Sequence, residues 1–344
     1  INVAVVMIDC DSAGINCLLS TPSFDNNEFS NGVTSEKWQS LVNNESNPLL
    51  NRCIAGLYAP GSTFKLVTAL FALEIMGINP NNNYFCSGFI EFGNRKFHCW
   101  KEGGHGSVNL KEALKKSCDC YFYNLAKKIN INKLAEFARG FSVGVPTRID
   151  LPNELVGIMP DSGWKVKNRG ERWQKGETLN TVIGQGFMLS TPLQITLMTA
   201  MIATGKKIKP KVLHDTKNFF EKIKVSNKNL DFVKGAMYSV VNEYEGTAFS
   251  SKLTGKHKLV GKTGTSQVRK ISIEERESGV LKNNELIYKL RDHSIFTGFA
   301  PYNKPKFAIT VIAEHMGSGS KVAAPISKKI MQFSLSKFLK ESNE

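Results

Sequence analysis

No run of about 18 apolar residues occurs in this chain, so no segment is long enough to cross a bilayer as a helix. The longest apolar stretches, near residues 64–76 and 195–203, read as core helices. A secretory leader pattern is also missing. Residues 2–8 already read as a strand, so the chain is expected to be an excised domain with any anchor lying upstream. Internal repeats are absent, which excludes a repeat architecture. Acidic residues are scarce beside basic ones, 30 against 45, for a net charge of +15. The lysines and arginines are scattered, however, with no basic stripe and no nucleic-acid motif. Nucleic-acid binding is therefore not expected, and an anionic membrane surface or a plain solvated surface remain as readings of the charge.

Cysteine is present in an odd number. The seven stand at positions 10, 17, 53, 86, 99, 118 and 120. That suits no closed disulfide framework, and 344 residues with 41% hydrophobic content can build a core without one. This size fits one large domain or two smaller ones. Four of the cysteines fall between 86 and 120 beside His98 and His105, a grouping that points to metal.

Residues 3–9 and 15–20 alternate as two strands joined by a turn at Asp11-Ser12-Ala13-Gly14. Residues 22–52 are polar and asparagine-rich and read as loop. Helices are expected over 62–76, 110–129, 131–140, 191–202 and 230–244. Residues 80–110 are rich in Gly, Asn and aromatics, and 146–185 read as irregular. Short β-rich runs follow at 258–265, 293–299 and 306–314, and then a helix at 325–339. The charged stretch 267–290 reads as a mobile loop. Strands at both ends and helices between them predict an α/β (α+β) fold. It would have one antiparallel sheet built from both chain ends, flanking helices, and a helical insertion carrying Ser117.

Chemistry concentrates in Tyr58-Ala59-Pro60-Gly61-Ser62-Thr63-Phe64-Lys65. A serine hydroxyl is a poor nucleophile near neutral pH and needs a base within reach. Residues three apart share a helix face, so Lys65 can reach Ser62. Pro60-Gly61 suits a helix start, where backbone N–H dipoles favour negative charge on Ser62. Lys65 serves as base only if burial or a nearby cation such as Lys262 lowers its pKa. Lys262-Thr263-Gly264-Thr265 reads as strand. Gly264 would let a substrate backbone approach, and Thr263 and Thr265 offer hydroxyls to a carboxylate. The N–H groups of Ser62 and Thr265 are a natural oxyanion pair. Ser117-Cys118-Asp119 adds a hydroxyl able to relay a proton, although serine is also a common helix cap. Asp119 near Lys65 would stabilise the ammonium, so the proton acceptor stays open between Lys65 and Ser117.

These three motifs, in this order, form the set of the penicillin-recognising serine enzymes. Further matches are residues 51–62, Ile183-Gly184-Gln185-Gly186, Thr191-Pro192-Leu193-Gln194, Gly246-Thr247-Ala248, Asp292-His293-Ser294 and Glu314-His315. With them, the chain resembles over essentially its whole length the transpeptidase domain of class B penicillin-binding proteins. Within that family it is most similar to the elongation-type branch, penicillin-binding protein 2. The resemblance implies a β-lactamase/transpeptidase-like domain over residues 1–344, with the family's membrane anchor and pedestal outside this chain. It implies catalytic Ser62, Lys65, Ser117, Asp119 and Lys262, and substrate-binding Thr263, Gly264 and Thr265. The implied activity is a peptidoglycan D,D-transpeptidase at the periplasmic face of the bacterial inner membrane. Ser62 attacks the D-Ala-D-Ala bond of a stem peptide, D-alanine leaves, and a neighbouring amine resolves the acyl-enzyme. β-Lactams would block Ser62. No cofactor is needed for this chemistry, and a membrane glycan polymerase is the implied partner.

Cys86, Cys99, His105 and Cys118 are spaced C-x12-C-x5-H-x12-C, a Cys3His set suited to a structural tetrahedral Zn²⁺. His98 and Cys120 compete as ligands. Cys118 and Cys120, two apart on a helix, point to different faces, and Cys118 is chosen. Buried free cysteines or one disulfide are the alternative. The resemblance implies a metal at matching positions in some relatives, with carboxylates in place of some of these cysteines. His293 and His315 read as structural, as does Glu177 near Asn180, and Trp100, Trp164 and Trp173 as packing. Competing functions are a β-lactamase or D,D-carboxypeptidase, which needs a positioned base for water, and a non-enzymatic β-lactam sensor or inactive scaffold.

Overall fold

The computed structural model describes residues 1–338 apart from 31, 214–219, 270, 273–274 and 276–279. Its centre is a five-stranded antiparallel sheet made from both chain ends. The strands are β1 (Val3–Asp9), β2 (Ile15–Thr21), β7 (Val260–Ser266), β8 (His293–Ala300) and β9 (Phe307–Ala313). They lie in the order β2-β1-β9-β8-β7, so β7 is an edge with one side free. The register sets Val5 opposite Val311, Thr297 opposite Thr310 and Lys262 opposite Thr297.

β1 is apolar almost without interruption because both of its faces are covered. Ala4, Val6 and Ile8 pack into a core with Leu197, Ala200 and Met201 of helix α10 (Pro192–Thr204). Val5 and Met7, on the other face, pack with Ala323, Met331 and Leu335 of α12 (Ala323–Phe338). This replaces the expected alternation, which belongs to sheets wet on one side. Helix α10 is buried from Pro192 to Ala203. Its start is set by a capping box between Thr191 and Gln194, and its end by Gly205 in the left-handed region, φ 70°.

The insertion holds α4 (Lys65–Glu74), α5 (Leu110–Lys115), α6 (Asp119–Ala126), α7 (Ile131–Arg139) and α11 (Asn227–Asn242). Two departures from expectation bear on the site. The helix expected over 62–76 opens as a 3-10 turn, Gly61–Thr63, and the α-helix begins only at Lys65. The helix expected over 110–129 is two helices, and Ser117 sits in the break at φ 56°. Residues 80–110 contain two small hairpin-like pairs, β3 (Tyr84–Cys86) with β6 (Gly106–Val108) and β4 (Phe89–Phe92) with β5 (Arg95–His98).

Two stretches expected as loop are partly helical. Residues 22–52 carry α1 (Asn26–Ser30) and α2 (Ser35–Val42), and α3 (Arg52–Ala55) begins at their end. Residues 146–185 carry α8 (Ser162–Arg169) and α9 (Lys175–Thr181). Local caps nucleate several of these: Thr34 accepts from Lys37 N, Asp161 from Trp164 N, and Gln174 with Glu177 forms a capping box. The expected loop 267–290 falls partly outside the described residues, and its described end forms a 3-10 turn, Tyr288–Leu290. Leu339, the last residue of the expected final helix, also lies outside them. No described helix is long and apolar enough to cross a membrane.

Candidate active site

The fold brings all three motifs together between the β7 edge and the helical insertion. Lys65, fully buried, donates from Nζ to Asp119 Oδ1 at 2.7 Å, to Ser117 O at 2.9 Å and to Ser117 Oγ at 3.4 Å. Lys262, equally buried, donates from Nζ to Ser117 Oγ at 2.8 Å and to Thr263 O at 3.1 Å. Ser117 thus stands between two amines, held there by its left-handed backbone. Among the described residues no hydrogen bond reaches the Ser62 hydroxyl. Lys65 therefore engages Ser117 and Asp119 here, where the sequence spacing suggested Ser62.

The two lysines differ electrostatically. Burial pushes the Lys262 pKa well below the usual lysine value, and the Lys65 charge pushes it further. Burial raises the Asp119 carboxyl, and Lys65 opposes that. Lys65 has a carboxylate partner, Asp119 at 2.7 Å, whereas among the described residues the hydrogen-bond partners of the Lys262 amine are Ser117 Oγ and Thr263 O.

Segment 60–64 packs directly on β7. A Cβ on Gly61 (φ 55°) would lie 2.5 Å from Thr265 O, so only glycine fits. A Cβ on Gly264 would lie 3.0 Å from Thr63 Cγ2 and 3.1 Å from Pro60 O. Gly264 therefore makes room for the turn that carries Ser62. Thr263 Oγ1 is hydrogen-bonded to Thr247 Oγ1 at 2.7 Å, and Gln185 Nε2 donates to Thr265 O at 3.0 Å.

Cys86, Cys99, His105 and Cys118 converge, their ligand atoms all within 4.8 Å of one another. His105 Nδ1 lies 3.6 Å from Cys86 Sγ and 3.5 Å from Cys99 Sγ. A tetrahedral zinc with the usual Zn–S and Zn–N bonds separates N from S by about 3.6 Å. The donor set and its spacing therefore fit that ion. Cys118 is the residue before α6, and its sulfur is the one that joins the group. Cys120 still borders the group: the Cys118 and Cys120 thiols bond to Cys99 and hold its pKa far below the usual thiol value.

This cluster touches the amine network. Asp119 N donates to Cys99 Sγ at 3.3 Å, and Trp100 N donates to Asp119 Oδ2 at 2.9 Å. Trp100 Nε1 reaches Ser117 O at 3.0 Å. Trp100 is thus more than packing, and only its place next to Cys99 hinted at that. Glu177 is taken up by Lys165 and by its own helix cap, and so is structural as expected.

A serine on a turn, two buried lysines and a K-T-G edge strand define the penicillin-recognising class. The penicillin binding protein transpeptidase family model matches residues 3–332, and the chain belongs to that family. Its relatives include the peptidoglycan D,D-transpeptidase MrdA of Haemophilus influenzae, 34% identical over 98% of this chain and 53% of the relative. Among solved structures, PBP2 of Helicobacter pylori in complex with MreC superposes with a TM-score of 0.89 at 38% identity, covering 98% of this chain and 60% of that one. PBP2 of Pseudomonas aeruginosa in complex with WCK 5153 follows at 0.86 and 34%, covering 97% and 74%. These matches bear out the resemblance to the PBP2 branch and the expected fold. The chain spans about half the length of the curated relatives it matches.

Proposed function

We propose that this chain is the transpeptidase domain, over residues 1–344, of a peptidoglycan D,D-transpeptidase acting in cell-wall elongation. The observation that carries the reading is the Ser117 hydroxyl held between the buried Lys65 and Lys262 amines, with burial lowering the Lys262 pKa. Ser62 Oγ bonds to the penultimate D-alanine carbonyl carbon, and its proton passes to the Ser117–Lys262 pair. A neutral amine keeps two N–H groups for Ser117 and Thr263 and a lone pair to accept that proton. The Ser62 and Thr265 N–H groups hold the oxyanion. As the C–N bond breaks, Ser117 returns the proton to the departing D-alanine nitrogen. An amine of a second stem then displaces Ser62 and forms the cross-link. Lys65, held by Asp119 at 2.7 Å, orients the Ser117 hydroxyl. Thr263 and Thr265 suit the substrate's terminal carboxylate, and a β-lactam would occupy the same place and leave Ser62 acylated.

The test is turnover of a synthetic stem pentapeptide with an amine acceptor. Cross-linked dimer is expected. Release of tetrapeptide alone would move the assignment to a carboxypeptidase. The rate should be full above the lowered Lys262 pKa and fall as pH drops through it, so that its acid limb lies well below the ordinary lysine value of 10.5. A limb governed by an unshifted lysine would refute the acceptor role.

The Cys86, Cys99, His105 and Cys118 set supports a structural zinc, with all four ligands from protein and no part in the chemistry. Its effect would run through Cys99, Trp100 and Asp119 to Lys65. Chelation should release about one zinc per chain, lower the melting temperature and slow β-lactam acylation. Unchanged acylation in a sample proven metal-free would overturn that link. The branch resemblance supports a membrane glycan polymerase as partner and a site at the periplasmic face of the inner membrane.

A further inference from the structure

A half-buried carboxylate that makes none of the amine network's hydrogen bonds links the two segments that carry the oxyanion donors. Glu314 follows directly on β9. It accepts from Tyr58 Oη at 2.6 Å, from Arg52 Nε at 3.1 Å and from Asn2 Nδ2 at 2.8 Å. Arg52 is 1% exposed and Tyr58 5%. Arg52 also donates to Asn47 O at 3.1 Å and to Ser46 O. Burial pushes the Glu314 carboxyl up, but its hydrogen bonds with Tyr58 and Asn2 and the Arg52 charge outweigh this and keep it ionised.

Tyr58 stands four residues before Ser62. Its backbone is pinned to Ser190 in both directions, N to O at 3.0 Å and O from N at 2.8 Å. Its ring meets His293 edge-on at 5.4 Å. His293 opens β8 and is paired with Ser266, the residue after Thr265. His293 Nδ1 accepts from His315 N at 2.9 Å, and burial lowers its pKa to about 4, so it is a fixed neutral group. One side chain thus ties the start of the Ser62 turn to the ends of β8 and β9, and through β8 to the end of β7. None of these groups lies among the residues assigned to the chemistry.

We infer that Tyr58 and Glu314 are positioning residues that set the separation of the Ser62 and Thr265 N–H groups, and so the strength of the oxyanion hole. This rests on the serine acyl-transfer reading. Gly61 against Thr265 fixes how closely the two segments can approach, and the Tyr58–Glu314 bond fixes where along β7 the turn sits. Removing the phenol frees that second coordinate, and donor geometry is what an oxyanion hole depends on.

The experiment is infrared difference spectroscopy of the penicilloyl-enzyme in the wild type, Tyr58→Phe and Glu314→Gln, with acylation kinetics split into the non-covalent binding constant and the first-order step. In Tyr58→Phe the ester carbonyl band is expected at higher wavenumber, because a less well held carbonyl is less polarised. The acylation step should slow roughly 10- to 100-fold with the binding constant little changed. Glu314→Gln keeps one oxygen to accept from Tyr58 and loses the charge paired with Arg52 and the oxygen that accepts from Asn2, so it should show a smaller shift in the same direction. A carbonyl band unmoved in both folded variants would overturn the inference, whatever happens to their melting temperatures. No adduct on the wild-type protein would overturn the serine reading itself, and this inference with it.

Discussion

Replacing Ser62 by alanine is expected to abolish the covalent adduct formed with a penicillin, as read by intact-protein mass spectrometry. The wild type should take up one equivalent and hold it. The hydroxyl is half-buried on its 3-10 turn, and its removal perturbs no hydrogen bond among the described residues, so the variant should fold as the wild type does. The loss in acylation should approach the ~10⁶-fold scale seen when a nucleophile is deleted from a serine enzyme. A stable adduct persisting in Ser62→Ala would place the nucleophile elsewhere. Rapid loss of the wild-type adduct with drug turnover would favour a β-lactamase. Glu177, the residue most reminiscent of a deacylating base, is committed to Lys165 and its helix cap, so slow hydrolysis is expected.

Asp119→Asn should have the largest effect on stability. Lys65 has no side-chain exposure, and among the described residues Asp119 at 2.7 Å is its only ion-pair partner. Removing one partner of a buried ion pair leaves the other charge uncompensated and typically costs about 3–5 kcal/mol. Oδ2 also accepts the Trp100 N–H, so the loop leading from Cys99 loses an anchor in the same step. Chemical denaturation should show the stability loss. Acylation of the remaining folded protein should fall by more than the lost folded fraction explains. Near-normal stability would mean that the Lys65–Asp119 contact does not act as a buried ion pair.

Much of the fold was legible because it rests on local rules. Thr191-Pro192 with Gln194 announces the start of α10, and the apolar runs at 3–9 and 307–313 announce central strands. The helices α2, α8 and α9 were missed because their sequences are polar and short. Their caps, Thr34, Asp161 and the Gln174–Glu177 box, were the available signal. The break at Ser117 was not legible: nothing in Leu114-Lys115-Lys116-Ser117-Cys118 forbids a continuous helix, and the left-handed serine is held both by a local Schellman cap, Cys118 N to Ala113 O at 2.9 Å and Ser117 N to Leu114 O at 3.3 Å, and by non-local bonds to Lys65, Lys262 and Trp100.

The sequence by itself determined which chemistry was possible. The residue types and order of Ser62, Lys65, Ser117, Asp119 and Lys262, and of the Cys3His set, are covalent facts that survive any packing. Tertiary structure alone decided that the Lys262 pKa is lowered, because a pKa depends on burial and on neighbours distant in sequence. Asp119 meets Lys65 across 54 positions, and Lys262 meets Ser117 across 145. It alone joined the Cys/His cluster to Asp119, and it alone set Glu314 against Tyr58 across 256 positions. Contacts between segments so far apart follow from how the sheet and insertion close on each other, and no local spacing encodes that.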